Sequence, residues 1–592
     1  MASDPNALFR TAEAQFAAGN HPAALDALDR ITRGFGAHAP VLHLTALVHR
    51  RMGNNDRART AFEATLRLAP GNVQARSNYA NLLDDMGDAE GALAQLDASI
   101  AARPDFADAH INKALILQRI ARPAAALAAL DRLPANLQAS PRVLTIRASL
   151  LRDLNRLDEA AATFDAVLAQ EPARATALVG RARVALERGE PDAADRYRRG
   201  LAGNPDNLEL QLGLAQALEA DGDEEAIDLL AGALAQRPAW IEGHEQLARM
   251  QSEAGRPAAI VTAYQAALHQ LPDHLPLHLS YWHTLMRAQR FTEAAAAIAA
   301  APPSVMQTPH AGLIRAMCTS EAGDVSTADR LFAGLTADDE VRIARGRHAL
   351  RAGRPAEAAQ LLETVTAVQP DNVTAWAHLS LAWRLLDHPR TGWLCGQAGL
   401  WGTADLPLSS AELDDLAVLL RALHRTRAHP IGQSLRGGTQ TRGRLLARQE
   451  PPLRHLRDLL HAAVTAHMDA LPPADPTHPL LRHRDNAVAL AGSWSVRLAD
   501  SGFHVSHIHP HGVLSSACYI ALPDGVANSA THDGWLELGA PPAELGLDLP
   551  PLAVVKPQPG RLALFPSYFF HGTRPFAAGE RLTVAFDVTV GT

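Results

Sequence analysis

Two hydrophobic periodicities divide the chain. Through about residue 395, apolar positions return every three or four residues, as in Asp88-Ala-Glu-Gly-Ala-Leu-Ala-Gln-Leu-Asp-Ala-Ser-Ile100, the spacing of one helix face. From about residue 488 the pattern changes to short, valine-rich, alternating runs between Pro/Gly turns: Ser493-Trp-Ser-Val-Arg-Leu498, Ser516-Ala-Cys-Tyr-Ile-Ala-Leu522, Leu552-Ala-Val-Val555, Arg561-Leu-Ala-Leu-Phe565 and Leu582-Thr-Val-Ala-Phe-Asp-Val588. These predict the strands of a barrel or sandwich. Between the two regimes, Thr403-Ala-Asp-Leu-Pro-Leu408 reads as linker, Ser409-Ser-Ala-Glu412 as a capping-box helix start, His429 to Thr441 as a polar, glycine-bearing segment between helices, and about 451–470 as a second helix.

The helical part repeats. Gly19, Gly53 and Gly87 stand 34 residues apart, and Gly189, Gly222, Gly255, Gly323 and Gly353 continue the series with small drifts. Pro70, Pro104, Pro172, Pro205, Pro238, Pro272 and Pro370 form a second series. A glycine ends the first helix of each pair in a left-handed conformation, and a proline stops the second. Five residues after the glycine comes a small side chain, as at Ala24, Ala58, Ala92, Ala328 and Ala358, which lets two helices approach. Ala126, Ala160 and Ala294 keep it where the glycine itself is missing, near 121, 155 and 289. With these offsets, residues from about 8 to 395 resemble the tetratricopeptide repeat family, some eleven helix pairs on its period. The resemblance implies a right-handed superhelix whose concave face holds a peptide or protein; the alternative is a scaffold packed on its neighbour. Histidines of the array such as His274, His278 and His283 are expected to be satisfied packing residues.

The chemistry is concentrated near the C-terminus, in Gly502-Phe-His-Val-Ser-His507-Ile-His509-Pro-His511, then Pro559-Gly-Arg-Leu-Ala-Leu-Phe-Pro-Ser-Tyr-Phe-Phe-His571, then Arg581-Leu-Thr583. His507 and His509 are i and i+2, so on a strand their imidazoles leave the same face. His571 follows a strand that can lie beside the first. Imidazole donors with open positions suit Fe(II), Zn(II) or Mn(II). Arg581 with Thr583 two residues on makes a seat for a carboxylate, unless Arg581 merely pairs with Glu580 or Asp587. A chain with 27 histidines yields about one His-x-His by chance, so it is the ordered set that carries weight. A cupin would place a glutamate where Val513 and Leu514 stand.

Composition removes other functions. A net charge of -8 gives no footprint for nucleic acid or an anionic membrane. Lysine occurs only at Lys113 and Lys556, which reads as coding bias. Cys318, Cys395 and Cys518 are scattered and in no CxxC pattern, against a disulfide framework or a cysteine metal site. The start lacks a basic-then-apolar leader and no apolar run reaches spanning length, so the expected location is cytoplasmic.

Taken together, Arg436-Gly-Gly-Thr-Gln-Thr441, Ser493 to Leu498, Gly502 to Pro510, Leu514 to Pro523, Gly534-Trp-Leu-Glu-Leu-Gly539 and Pro559 to Asp587 resemble the Fe(II)- and 2-oxoglutarate-dependent oxygenases, and more narrowly those that bacteria fuse to tetratricopeptide repeats. The resemblance covers about 415–592. It implies a double-stranded β-helix (jelly roll) with flanking helices, Fe(II) as metal and 2-oxoglutarate as cosubstrate. It also implies oxidative decarboxylation to succinate and carbon dioxide coupled to hydroxylation of a substrate.

Carried onto this chain, the resemblance makes His507 the first ligand, His571 the distal ligand, Arg581 the anchor of the far carboxylate and Thr583 its companion hydroxyl; no catalytic group is implied beyond the metal shell. The pattern has a carboxylate where this chain has His509, so either three histidines bind the metal or His509 is displaced, with water, Asp524 or Asp533 in its place. Tyr519 is a candidate hydrogen-bond donor to the cosubstrate, His504 and His511 are candidate supports of the ligands, and Trp494 and Trp535 are expected to pack. The expected organisation is therefore a repeat array over 1–395, a linker over 396–414 and an oxygenase-like domain over 415–592 with its β core at about 488–592. The chain would be a hydroxylase of a peptide or protein held by the repeats; the alternative is a non-catalytic repeat scaffold with a degenerate or merely metal-binding barrel.

Overall fold

The computed structural model describes residues 4–590. It divides into two compact units, one of residues up to 185 with 195–205, the other of 186–194 with 206 onward. The N-terminal region is all-helical and repeat-built, and the C-terminal region is a jelly roll with flanking helices. Among the described residues no helix is long and apolar enough to cross a membrane.

The first unit shows how the repeat is specified. Pro5–Ala17 pairs with His21–Phe35, Ala39–Arg51 with Asn55–Leu68, and Val73–Asp85 with Ala89–Ala102. The glycines between the partners hold φ of +76° at Gly19, +75° at Gly53 and +85° at Gly87, a region a side chain disfavours. Ala24, Ala58 and Ala92 are fully buried, so a larger side chain there would have to push the helices apart. At the missing glycines the backbone is unchanged: Ala121, Asn155 and, in the second unit, Gln289 hold φ of 59°, 58° and 58°. The turn is kept although its residue is not, at a cost of about 1–2 kcal/mol each.

The prolines have a second role. Six residues after Pro70, Pro104, Pro238, Pro272 and Pro370 stand Arg76, His110, His244, His278 and Trp376. Each side chain places a nitrogen at 2.7–3.1 Å from the carbonyl of its proline. A carbonyl at the inter-repeat turn is thus satisfied by a long donor on the next helix, as buried backbone requires. His278 is therefore a packing histidine as expected, and His274 caps its helix by accepting the N–H of Leu277.

In the second unit, helix pairs continue to Val373–Leu385, followed by helices Thr391–Cys395, Ser410–Leu423 and Pro451–Ala470. Ser409 and Glu412 close the expected capping box. The strands are β1 (Gly402–Asp405), β2 (Leu435–Gln440), β3 (Val488–His504), β4 (Leu514–Ala521), β5 (Leu536–Leu538), β6 (Ala553–Val555), β7 (Arg561–Pro566), β8 (His571–Thr573) and β9 (Arg581–Val590). They form an antiparallel six-stranded sheet, β1-β7-β4-β9-β3-β2, and a three-stranded sheet, β6-β5-β8. Both edges of the larger sheet depart from expectation. The stretch read as linker contains β1, paired with β7, and the polar stretch after His429 contains β2, paired with β3. Neither has a hydrophobic face of its own; β2 carries Gly437 at φ +70° and a register shift beside it, which hides its alternation.

One apolar cluster runs from Leu362, Leu379 and Trp383 of the repeats, through Leu394, Leu416, Leu456 and Leu460, to Phe565, Leu582 and Val584 of the jelly roll. Tyr568 Oη donates to Leu394 O at 2.7 Å. The last repeats and the sheet therefore share a core.

Two outcomes follow from this packing. Ala121→Gly, at an exposed left-handed turn, should stabilise the first unit by about 1 kcal/mol, read as a higher melting temperature. In the second unit, burial pushes His378, His424 and His478 down to about 4. Below the ordinary histidine value the unfolded chain binds more protons than the folded one, so the stability held above about pH 6.5 is lost as pH falls toward 4. Denaturant titrations at pH 7 and pH 5 should show this loss, and His378→Leu, which removes one of the contributing groups, should lessen it.

Candidate metal centre

β3 ends at His504, and the chain then turns to cross the mouth of the jelly roll. His507 does not lie within a strand as expected; it forms a single antiparallel bridge to the first residue of β8, His571. The bridge is reciprocal: His507 N–H donates to His571 O at 3.0 Å and His571 N–H to His507 O at 2.9 Å. The backbone there is extended enough that His507 and His509 still project to one side. The nitrogen ligand atoms of His507, His509 and His571 all lie within 4.8 Å of one another, and among the described residues they are the one such group of three metal-ligating side chains.

The ring orientations make this a usable set. His507 Nδ1 lies 2.9 Å from Val505 O, His571 Nδ1 lies 3.1 Å from Phe569 O, and His509 Nδ1 is bonded to Asp587. With each Nδ1 held as a donor, each Nε2 presents its lone pair inward. His507 Nε2 and His509 Nε2 are 3.1 Å apart, about the separation of adjacent nitrogens each about 2.1 Å from a common ion. Burial, then the neighbouring His509, pushes His507 down to about 3; burial, then neighbouring histidines, holds His571 and His504 well below the ordinary range. His507 and His571 are thus neutral, the form that coordinates. Asp524 and Asp533 do not join the group; Asp533 accepts from Thr531 within its own loop. Neither of these two carboxylates therefore reaches the three rings.

A narrow inner cavity leads from the three rings past Ala585 and Thr583 to Arg581. Arg581 and Thr583 are buried, 2% and 6% exposed. Glu580 is occupied by Arg421 and Arg497, and Asp587 by His509, so the surface ion pair weighed for Arg581 does not form. Instead Arg581 Nη1 donates to Gly534 O at 2.9 Å, its guanidinium lies 5.2 Å above the Tyr519 ring, and its buried Nε has no well-formed hydrogen bond. Orphaned donors are costly unless something accepts from them. A cationic donor and three imidazoles lining one narrow cavity fit a metal-bound dicarboxylate.

His504 belongs to the supporting layer: Ser434 Oγ bridges its Nδ1 at 2.9 Å and His507 Nε2 at 3.2 Å. His511 lies out on the lining of the wider cleft. Trp494, expected only to pack, walls both the inner cavity and the cleft, its ring 5.5 Å from that of His509. Trp535 packs as expected, against His532, and donates to Val526 O. The sequence does not mark Ser434 as a site residue, and it offers Asp587 only as a possible ion-pair partner of Arg581. Asp587 is legible in principle, being on the same alternating face as Arg581 and Thr583; Ser434 has no such signal, because only the pairing of β2 with β3 brings it near.

The outer cleft, about 1060 Å³, is lined on one side by His283, Arg287 and Arg347 of the repeats and on the other by Arg436, Trp494 and His511. The fold and the site thus define a helical-repeat protein joined to a jelly roll with a triad of histidines, His571 buried and His507 and His509 half-buried. Residues 492–587 match the family described as "Putative 2OG-Fe(II) oxygenase", and tetratricopeptide-repeat models match 6–35, 49–105, 79–141, 147–194 and 343–387.

Solved structures similar to the chain include a tetratricopeptide repeat protein from Parabacteroides merdae, 18% identical over 41% of this chain and 97% of its own, with a TM-score of 0.35. Others are pilF of Pseudomonas aeruginosa, 20% identical over 35% and 95%, with a TM-score of 0.31, and the Cut9–Hcn1 hetero-tetramer of the APC/C, 15% identical over 65% and 84%, with a TM-score of 0.34. No curated protein sequence matches the chain.

Purified protein titrated anaerobically with Co(II) should bind one equivalent. His507→Ala and His571→Ala should each weaken that binding by at least about 100-fold, since each removes a direct ligand.

Proposed function

We propose that the chain is an Fe(II)- and 2-oxoglutarate-dependent hydroxylase of a peptide or protein segment, with 1–395 as the substrate-holding array and 415–592 as the oxygenase domain. The observation that carries this is the pairing, along one cavity, of three imidazole nitrogens with the buried guanidinium of Arg581, whose Nε has no partner. A lone metal site would not need a buried cation at its far end.

In this reading His507, His509 and His571 hold the ferrous ion and leave its remaining positions open. Arg581 receives the distal carboxylate of 2-oxoglutarate through charge-assisted hydrogen bonds, and the Thr583 hydroxyl, on the same face of β9, donates to the same group. Tyr519 stiffens the guanidinium from below and offers its own hydroxyl. The carbonyl of Val505, accepting from Nδ1, fixes the orientation of His507, and Ser434 Oγ gives up its contact with Nε2 when the ion takes that lone pair. The inner cavity is narrow, and the burial of Arg581 and Thr583 strengthens these contacts. Bound Fe(II), with 2-oxoglutarate and oxygen, supplies the oxidising power for insertion of oxygen into a substrate C–H bond.

A peptide is favoured as substrate because the triad lies at the floor of a cleft with one wall made by repeats. The polar groups on that wall, His283, Arg287 and Gln289 among them, match a main chain rather than a small apolar metabolite. The fit of the array to a peptide is an inference from architecture.

The test is an anaerobic titration of the Fe(II)-loaded protein with 2-oxoglutarate, following the visible charge-transfer band. Wild type should develop the band. Arg581→Gln should keep its Fe(II) affinity and bind 2-oxoglutarate at least about 30-fold more weakly, the loss expected from removing one partner of a buried charge pair. Absence of the band in wild type would favour a repeat scaffold with a metal-binding barrel.

A further inference from the structure

The three histidines are not equivalent. His507 and His571 each rest their Nδ1 on a neutral backbone carbonyl, Val505 O and Phe569 O. His509 rests its Nδ1 on a carboxylate, Asp587. His509 is also the residue that occupies the position where the resembling oxygenases carry a carboxylate ligand. Three neutral imidazoles leave the charge of a divalent ion uncompensated in a buried site, which is costly. The other acids of the cleft do not compensate it: Glu321 is taken by Arg347 and Arg351, and Glu544 pairs with Arg347.

Asp587 is placed for this task by the fold. Arg581, Thr583, Ala585 and Asp587 alternate onto one face of β9, the first three along the inner cavity and the fourth at the cleft. Asp587 is paired on both sides, with Ala491 of β3 and Ser515 of β4, so its backbone is fixed. The register of β3 on β9 shifts between Ala491 and Ser493. The intervening Gly492 takes φ +53°, a conformation that side chains disfavour, at the point where the strand passes Trp494 and Asp587. Such bulges recur beside functional sites. Trp494 then covers His509 from the same strand.

We infer that Asp587 is a positioning residue that restores, one imidazole further out, the negative charge the metal shell lacks. By accepting the Nδ1 proton of His509 it fixes the tautomer that aims Nε2 at the ion. Its charge also raises the donor strength of that ring above that of the other two. The site thereby keeps the net charge of two histidines and one carboxylate while coordinating through three histidines. This rests on the reading of the triad as a metal shell.

The experiment measures Co(II) affinity of the full-length protein anaerobically and without 2-oxoglutarate, alongside the melting temperature of the metal-free protein. Asp587→Asn, which can still accept the hydrogen bond but carries no charge, should weaken Co(II) binding by about 10-fold, and Asp587→Ala by up to about 100-fold. Both should leave the metal-free melting temperature near that of wild type. On a His509→Ala background, adding Asp587→Ala should cost no further affinity, because the carboxylate acts through the ring that has been removed. Wild-type affinity in both Asp587 variants overturns the inference, as does an undiminished loss on the His509→Ala background. Retention of Co(II) by His571→Ala overturns the metal-shell reading itself, which separates the two failures.

Discussion

The site depends on two backbone hydrogen bonds. The reciprocal pair between His507 and His571 ties the segment leaving β3 to the first residue of β8, joining the two halves of the triad across some sixty residues of chain. Neither segment is held in that position by a long ladder, since the bridge is a single residue pair. What keeps it in register is the sheet on either side, with β8 paired to β5 and β3 paired to β9. Side chains at such a junction inherit the rigidity of both sheets without filling an interior strand position, which leaves the imidazoles free to point into the cavity.

The repeats and the jelly roll of the second unit are linked as one folded body by apolar burial. Leu362, Trp383, Leu394, Phe565 and Leu582 belong to one cluster, so the last repeats cannot melt without exposing the floor of the sheet. Polar ties are laid over it: Arg384 donates to Gly539 O and Pro550 O, and Arg287 to Ile431 O. An array anchored in this way presents its helices at a fixed position along the cleft, and rigid walls are what allow a substrate segment to be positioned against a buried ion.

Much of this was legible in the sequence, and the exceptions have physical causes. The repeat was readable because glycine and proline enforce particular backbone shapes. It stayed readable through Ala121, Asn155 and Gln289 only because Ala126, Ala160 and Ala294 persisted, since no residue type announces a left-handed turn that it merely tolerates. The triad was readable because i, i+2 geometry and a histidine after a Pro-Gly strand are local features. Strands β1 and β2 were not, because an edge strand that buries little needs no hydrophobic alternation. Ser434 was not, because its place beside His507 is created by pairing between distant segments. Asp587 was visible as a member of the alternation starting at Arg581, but its partner could not be read from one strand.

β9 shows how one strand can order a site by depth. A rise of about 3.3 Å per residue puts roughly 20 Å between Arg581 and Asp587 on the same face. A cation lies at the closed end, a hydroxyl and a methyl group follow, and an anion stands at the mouth. A dicarboxylate drawn toward the cation would meet the ion midway, between Arg581 and the Asp587–His509 pair. A carboxylate placed directly on the ion would compete with that dicarboxylate for positive charge at contact distance; moved behind an imidazole, its repulsion falls with distance while its hold on the ring remains. On the proposed function, a third histidine backed by an aspartate is therefore a consistent way to bind a divalent ion with an anion beside it.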